Sequence, residues 1–148
     1  MTIAANMEIY KTFVIESAHR LPNLPENHKC SRLHGHSFVI EVHVSGSNDN
    51  TNGWVMDFAD IGKIFQPIYK RLDHCYLNEI SGLENPTSEN LAKWIWIDCF
   101  KHIPLDEKKY KLLKKYKYKI CLVSPELHGR SISLSLIHIS EPTRPRLM

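Results

Sequence analysis

Residues 9–19, IYKTFVIESAH, alternate along the chain: Phe13, Ile15, Ser17 and His19 share one face, while Val14, Glu16 and Ala18 share the other. A two-residue period of this kind predicts a half-buried strand. Residues 34–45, HGHSFVIEVHVS, repeat the pattern and set His34, His36, Phe38, Ile40, Val42 and Val44 on one face. Between them, residues 20–33 hold Pro22, Pro25, two Asn and several charges, a long loop of the kind that often carries function. The stretch GSNDNTNG at 46–53 is turn chemistry, and the two strands are expected to lie antiparallel side by side.

A short strand is expected from Trp54 to Met56. Asp57 then caps a helix whose apolar stripe is Ile61, Ile64, Phe65, Ile68 and Leu72, with Pro67 predicting a kink or an early break. A loop, 73–86, leads to a second helix starting at Thr87 or Ser88. Its first turn carries Glu89, and Leu91, Ala92, Ile95, Cys99 and Ile103 point inward. The run KKYKLLKKYKYK at 108–119 grades into a strand from Tyr116 to Val123. The order predicts an α+β fold with two helices on one face of an antiparallel sheet, in a single domain over 8–130. Residues 1–7 read as a loose lead. Residues 131–148 are Ser-rich without a clear period, and LIHISEPTRP resembles a translated sequencing adapter, so they read as an atypical tail, suggestive of a damaged or chimeric end, outside the fold.

At 148 residues and 17.2 kDa the chain has room for one domain with its own core. With 43% hydrophobic and 24% charged residues it is of ordinary globular composition, which excludes a disordered or collagen-like chain. No apolar run of eighteen residues and no signal peptide is present, so neither a membrane span nor secretion is expected. A formal charge of +3 is too small to argue for nucleic acid, and the lysine-rich run reads as a solvated face. None of the four cysteines, Cys30, Cys75, Cys99 and Cys121, forms a C-x-x-C pair, which points to a reducing cytoplasm rather than a disulfide scaffold.

The nine histidines change the picture by position more than by number. His34 and His36, two apart on a strand, project from one face with Cα atoms roughly 6.5–7 Å apart, close enough to share a metal ion. His19 ends the neighbouring strand on its inward face, and antiparallel pairing brings it beside them. A lone strand histidine is usually a packed or surface residue. Three that converge make a catalytic zinc arrangement with an open fourth place, although imidazole also suits iron, nickel or copper. His28, His43, His102 and His128 lack such partners and read as surface residues; Cys75 and Cys121 read as packing residues. Cys30, in a polar loop between Lys29 and Arg32, is either a reactive thiolate or a small buried hydrophobe. Asp73 and His74 offer a proton-shuttling histidine with a carboxylate that sets its tautomer, or else a helix-end pair whose side chains point apart.

The segments FVIESAHRLP, HKCSRLHGHSF, GWVMDFADI, RLDHCYLN and GLENPTSENLAKWIW together resemble the 6-pyruvoyltetrahydropterin synthase superfamily. The spacing C-x-x-x-H-G-H from Cys30 to His36 is most similar to its bacterial 6-carboxytetrahydropterin synthase branch, from queuosine biosynthesis. The resemblance implies zinc on His19, His34 and His36, Cys30 as catalytic thiolate, and Asp73 and His74 as proton-relay partners. Thr87 and Ser88 would contact the pterin. It implies a tunnelling (T-) fold whose sheets join into a barrel in a homo-oligomer, trimer or hexamer, with active sites between subunits. The activity implied is conversion of 7,8-dihydroneopterin triphosphate to 6-carboxytetrahydropterin with release of acetaldehyde and triphosphate. Pyruvoyl-type triphosphate elimination and a non-catalytic, metal-stabilised binding protein are the alternatives. The family carries a Glu-Thr pair in its last strand; here Ser124 stands at that place, and Glu126, two residues on and past Pro125, is the candidate anchor for the pterin.

Overall fold

The computed structural model describes residues 5–101 and 116–123, and the backbone of 131–135. Strands β1 (Asn6–His19) and β2 (His34–Ser47) pair antiparallel over their whole length, from Asn6↔Ser47 to His19↔His34. Helices α1 (Phe58–Leu72) and α2 (Ser88–Lys101) follow, then β3 (Lys117–Val123) and β4 (Ser131–Ser135). The sheet order is β1-β2-β3-β4 with every neighbour antiparallel.

The alternation seen in the sequence decides which face of the sheet the helices cover. Ile15, Phe38, Ile40, Val42, Val44, Ile120 and Leu122 are buried in one core with Ile61, Phe65, Ile68 and Leu72 of α1 and Leu91, Ile95 and Cys99 of α2. The Phe13 ring lies 4.3 Å from that of Phe65, so β1 and α1 meet through aromatic contact. Asp57 caps α1 by accepting from the Ala59 N–H. Thr87 Oγ1 accepts from the Asn90 N–H at 3.1 Å at the start of α2. Arg71 joins the helices, ion-paired to Asp98 and stacked 4.6 Å over the Trp94 ring. Among the described residues, no helix is long and apolar enough to cross a membrane.

Four expectations need correction. Residues 54–56 are not a strand: Val55 is buried, but the segment closes a turn in which Asp49 accepts from Thr51 and Asn52 and bonds the Trp54 carbonyl. Of the kink or early break expected at Pro67, the break does not occur, because α1 continues to Leu72. Pro67 stands on the exposed side of the helix, while Ile68 and Leu72 hold the last turn to the core. The lead is shorter than expected, because Asn6 and Met7 already pair with β2. Residues 131–135, set aside as tail, pair with β3 from Lys119↔Ser135 to Val123↔Ser131. Ile103 and most of the lysine-rich run lie outside the described residues.

Candidate metal centre and adjoining cleft

Antiparallel pairing makes His19 and His34 direct partners at the end of the β1–β2 ladder, and His36 follows on the same face. The three imidazole centroids are 4.6, 5.1 and 4.7 Å apart. One ligand atom of each lies within 4.8 Å of the others. His19 is fully buried; His34 and His36 are half-buried, so the cluster opens on one side.

Ring orientation is set from outside the cluster. His19 Nδ1 lies 2.9 Å from the Pro86 carbonyl, and His34 Nδ1 lies 2.6 Å from the Arg32 carbonyl. A carbonyl only accepts, so each Nδ1 carries the proton and each Nε2 keeps its lone pair. Those two Nε2 atoms face each other at 3.1 Å. Two lone pairs brought that close repel unless a proton or a cation stands between them. Backbone carbonyls on the far nitrogens are the usual outer partners of metal-binding imidazoles. The donor set therefore fits a divalent ion such as zinc. Phe38 packs edge-on beneath His19 and His36, at 5.5 Å from each, and forms the apolar floor.

The second group hangs from the C-terminus of α1. Asp73 caps the helix with its N–H on the Tyr69 carbonyl. Asp73 Oδ1 accepts from the Glu16 N–H at 2.9 Å, and the His74 N–H donates to the Glu16 carbonyl at 2.7 Å. This two-point clasp on β1 holds His74 at φ 56°, a left-handed conformation rare for a residue with a side chain. That turn brings neighbouring side chains together, with His74 Nδ1 2.8 Å from Asp73 Oδ2. The Glu16 N–H bond, then the His74 and Tyr69 contacts, hold the Asp73 carboxyl below the usual carboxylate range, while the Asp73 charge pushes the Tyr69 phenol up.

An open cleft of about 560 Å³ runs between these groups, lined by Glu16, Ser37, His36, His74, Cys75 and Tyr76 among others. His36 is its link to the imidazole cluster. Glu16 and Ser37 face each other across β1 and β2, with Ser37 Oγ 2.7 and 2.8 Å from the two carboxylate oxygens. Sequence reasoning passed over Glu16, because its part is played mainly by backbone atoms that carry no residue signature. Cys30 sits half-buried in a short 3₁₀ turn (Lys29–Ser31) whose carbonyl accepts from the Leu21 N–H at 2.8 Å, folding the long loop back on itself. Thr87 and Ser88 do not line the cleft; they adjoin Pro86, whose carbonyl orients His19. Ser124, Pro125, Glu126, His102 and His128 lie outside the described residues. His28 is exposed, as expected, and accepts from the Cys30 N–H. His43 is not a surface residue, and Cys121 lies beside it on the face away from the core.

Comparison with known proteins places the chain in a family. The chain is 47% identical over 93 residues to a 6-carboxy-5,6,7,8-tetrahydropterin synthase of Synechocystis, covering 60% of this chain and 70% of that one. It is 44% identical over 80 residues to a dihydroneopterin monophosphate aldolase of Pyrococcus furiosus, covering 54% and 67%. The structure is similar to that of 6-pyruvoyl tetrahydropterin synthase from Caenorhabditis elegans, with a TM-score of 0.74 over 92% of this chain and 99% of the other at 21% identity, a likeness of fold. The antiparallel sheet with two helices is thus the T-fold architecture. Residues 8–119 match the family model described as 6-pyruvoyl tetrahydropterin synthase, and the chain belongs to that family.

Proposed function

We propose that this chain is a zinc-dependent 6-carboxytetrahydropterin synthase. It would convert 7,8-dihydroneopterin triphosphate to 6-carboxytetrahydropterin, with uptake of water and loss of triphosphate and acetaldehyde, as a cytoplasmic step of queuosine biosynthesis. The observation that carries the reading is the convergence of three imidazoles, two with their outer nitrogens committed to carbonyls, one of which, His36, lines a cleft shared with His74, itself bonded to Asp73. The similarity to relatives named for that product supports the choice of substrate.

His19, His34 and His36 would hold zinc, which would supply positive charge to stabilise the negative charge that develops on the substrate when a C–H proton is removed. Cys30 is the base for that proton. Asp73 holds Nδ1 of His74 and thereby leaves Nε2 as the atom that exchanges protons as the side chain rearranges. Thr87, Ser88 and Glu126 hold the pterin ring, and a homo-oligomer of three or six chains completes the site between subunits.

The test is to supply the zinc-loaded protein with 7,8-dihydroneopterin triphosphate and to look for acetaldehyde and the mass of the 6-carboxy product. Cys30→Ala should keep its zinc and lose turnover by roughly 10²–10⁴-fold, the usual weight of a positioned base. Full activity in that variant would remove Cys30 from the chemistry. Triphosphate release without acetaldehyde would make the chain a pyruvoyl-type synthase. No turnover, with a melting temperature that falls on chelation, would make it a metal-stabilised binding protein. A parallel assay with dihydroneopterin monophosphate checks the activity named for the archaeal relative.

A further inference from the structure

We propose that Glu41, His43 and Cys121 form a second site for a divalent transition-metal ion, zinc by its donors, on the sheet face opposite the helices. The proposal is independent of the function proposed above. Glu41 and His43 are two apart on β2, and Cys121 on β3 is the register partner of Glu41, so the sheet itself gathers the three. One donor atom from each lies within 4.8 Å of the others. Tetrahedral zinc sets such donors roughly 3–4 Å apart, a closure within reach of side-chain adjustment.

The site is built, with support beyond its donors. His43 and Cys121 are only 7% and 5% exposed, although both lie on the face away from the core. The His43 ring stacks on Tyr10 at 4.7 Å with a 20° interplanar angle. Its Nδ1 is 2.7 Å from Glu8 Oε1, and its Nε2 is 2.9 Å from Glu41 Oε1. Glu8 is held in turn by Lys119 Nζ at 3.2 Å and Ser45 Oγ at 3.2 Å. A carboxylate against Nδ1 is the outer half of a carboxylate–histidine–metal chain, the arrangement that leaves Nε2, beside Glu41, to face an ion.

Binding a dication takes His43 Nε2 as a lone-pair donor and Cys121 as thiolate, so any proton on either atom leaves to solvent. A nitrogen, a carboxylate oxygen and a thiolate favour zinc over magnesium or calcium, with water in the fourth place. The ion would tie β2 to β3, with β1 fastened through Glu8.

Titrating the full chain with Co²⁺ at neutral pH tests this. Two ions per chain are expected, one of them giving a sulfur-to-cobalt charge-transfer band. Cys121→Ser should lose the band and one ion. Glu41→Gln, at a half-buried position that tolerates an amide, should weaken that ion at least tenfold. His34→Ala should lose the other ion and keep the band, and Cys30→Ala should keep both. If His34→Ala instead keeps two ions with the band, the imidazole cluster fails and the second site stands. Absence of the band in the unaltered chain, its survival in Cys121→Ser or its loss in Cys30→Ala overturns the proposal. Absence would identify the trio as a metal-free clasp in which His43 bridges Glu8 and Glu41.

Discussion

Replacing His19 and His34 separately by alanine distinguishes what each imidazole does for the fold from what it does for a metal. His19 is fully buried and its Nδ1 serves the buried Pro86 carbonyl. His19→Ala leaves that acceptor without its donor, at about 1–3 kcal/mol. It also opens a void against Phe38 and His36, at about 1–2 kcal/mol for an imidazole-sized loss. The sum is about 2–5 kcal/mol, or a drop in melting temperature of roughly 4–20 °C at about 2–4 °C per kcal/mol for a chain of this size. His34 is half-buried and its Nδ1 partner, the Arg32 carbonyl, belongs to an exposed residue, so His34→Ala should cost under about 1 kcal/mol in the metal-free protein. Both variants should lose the ion. Thermal unfolding in excess chelator reads the first quantity, and metal content after dialysis reads the second. A chelated His19→Ala protein that melts with the unaltered chain would refute the account of His19 as a fold-holding residue. A His34→Ala protein that keeps its full metal content would refute the shared site.

Three further outcomes follow from named contacts. Asp73 is held below the usual carboxylate range, so its contribution to stability is present above about pH 4 and is lost as pH falls through its folded value. The melting-temperature gap between the unaltered chain and Asp73→Asn should therefore be widest near neutrality and shrink below about pH 4; a gap that widens in acid would contradict this. Cys99 is buried beside Asp98, with desolvation first and the Asp98 charge second pushing its thiol up to about 12. Maleimide labelling at pH 7.5, read by peptide mass, should leave Cys99 unmodified until the protein is denatured. Pro67 is exposed within α1 and removes a helical hydrogen bond, so Pro67→Ala should stabilise the protein by about 1–3 kcal/mol, seen as a higher urea midpoint with an unchanged slope. A lower midpoint would mean that the proline ring packs usefully where it stands.

Periodicity alone determined a good deal about this protein. The two-residue alternation of β1 and β2 put His19, His34 and His36 on the core face, the i, i+3, i+4 stripe drew α1, and the caps at Asp57 and Thr87 placed both helix starts. Each of these is written in neighbouring residues, because backbone geometry turns spacing into direction. Tertiary structure decided the rest. That Asp73 and His74 meet, rather than diverge as chain neighbours do, depends on a left-handed turn clasped to the backbone of Glu16, 57 residues earlier. That His43 and Cys121 are buried depends on the register of β2 against β3 and on Tyr10 and Glu8 from a third strand. Sheet register is a global choice: it joins residues about eighty positions apart whose local sequence says only that each belongs to a strand.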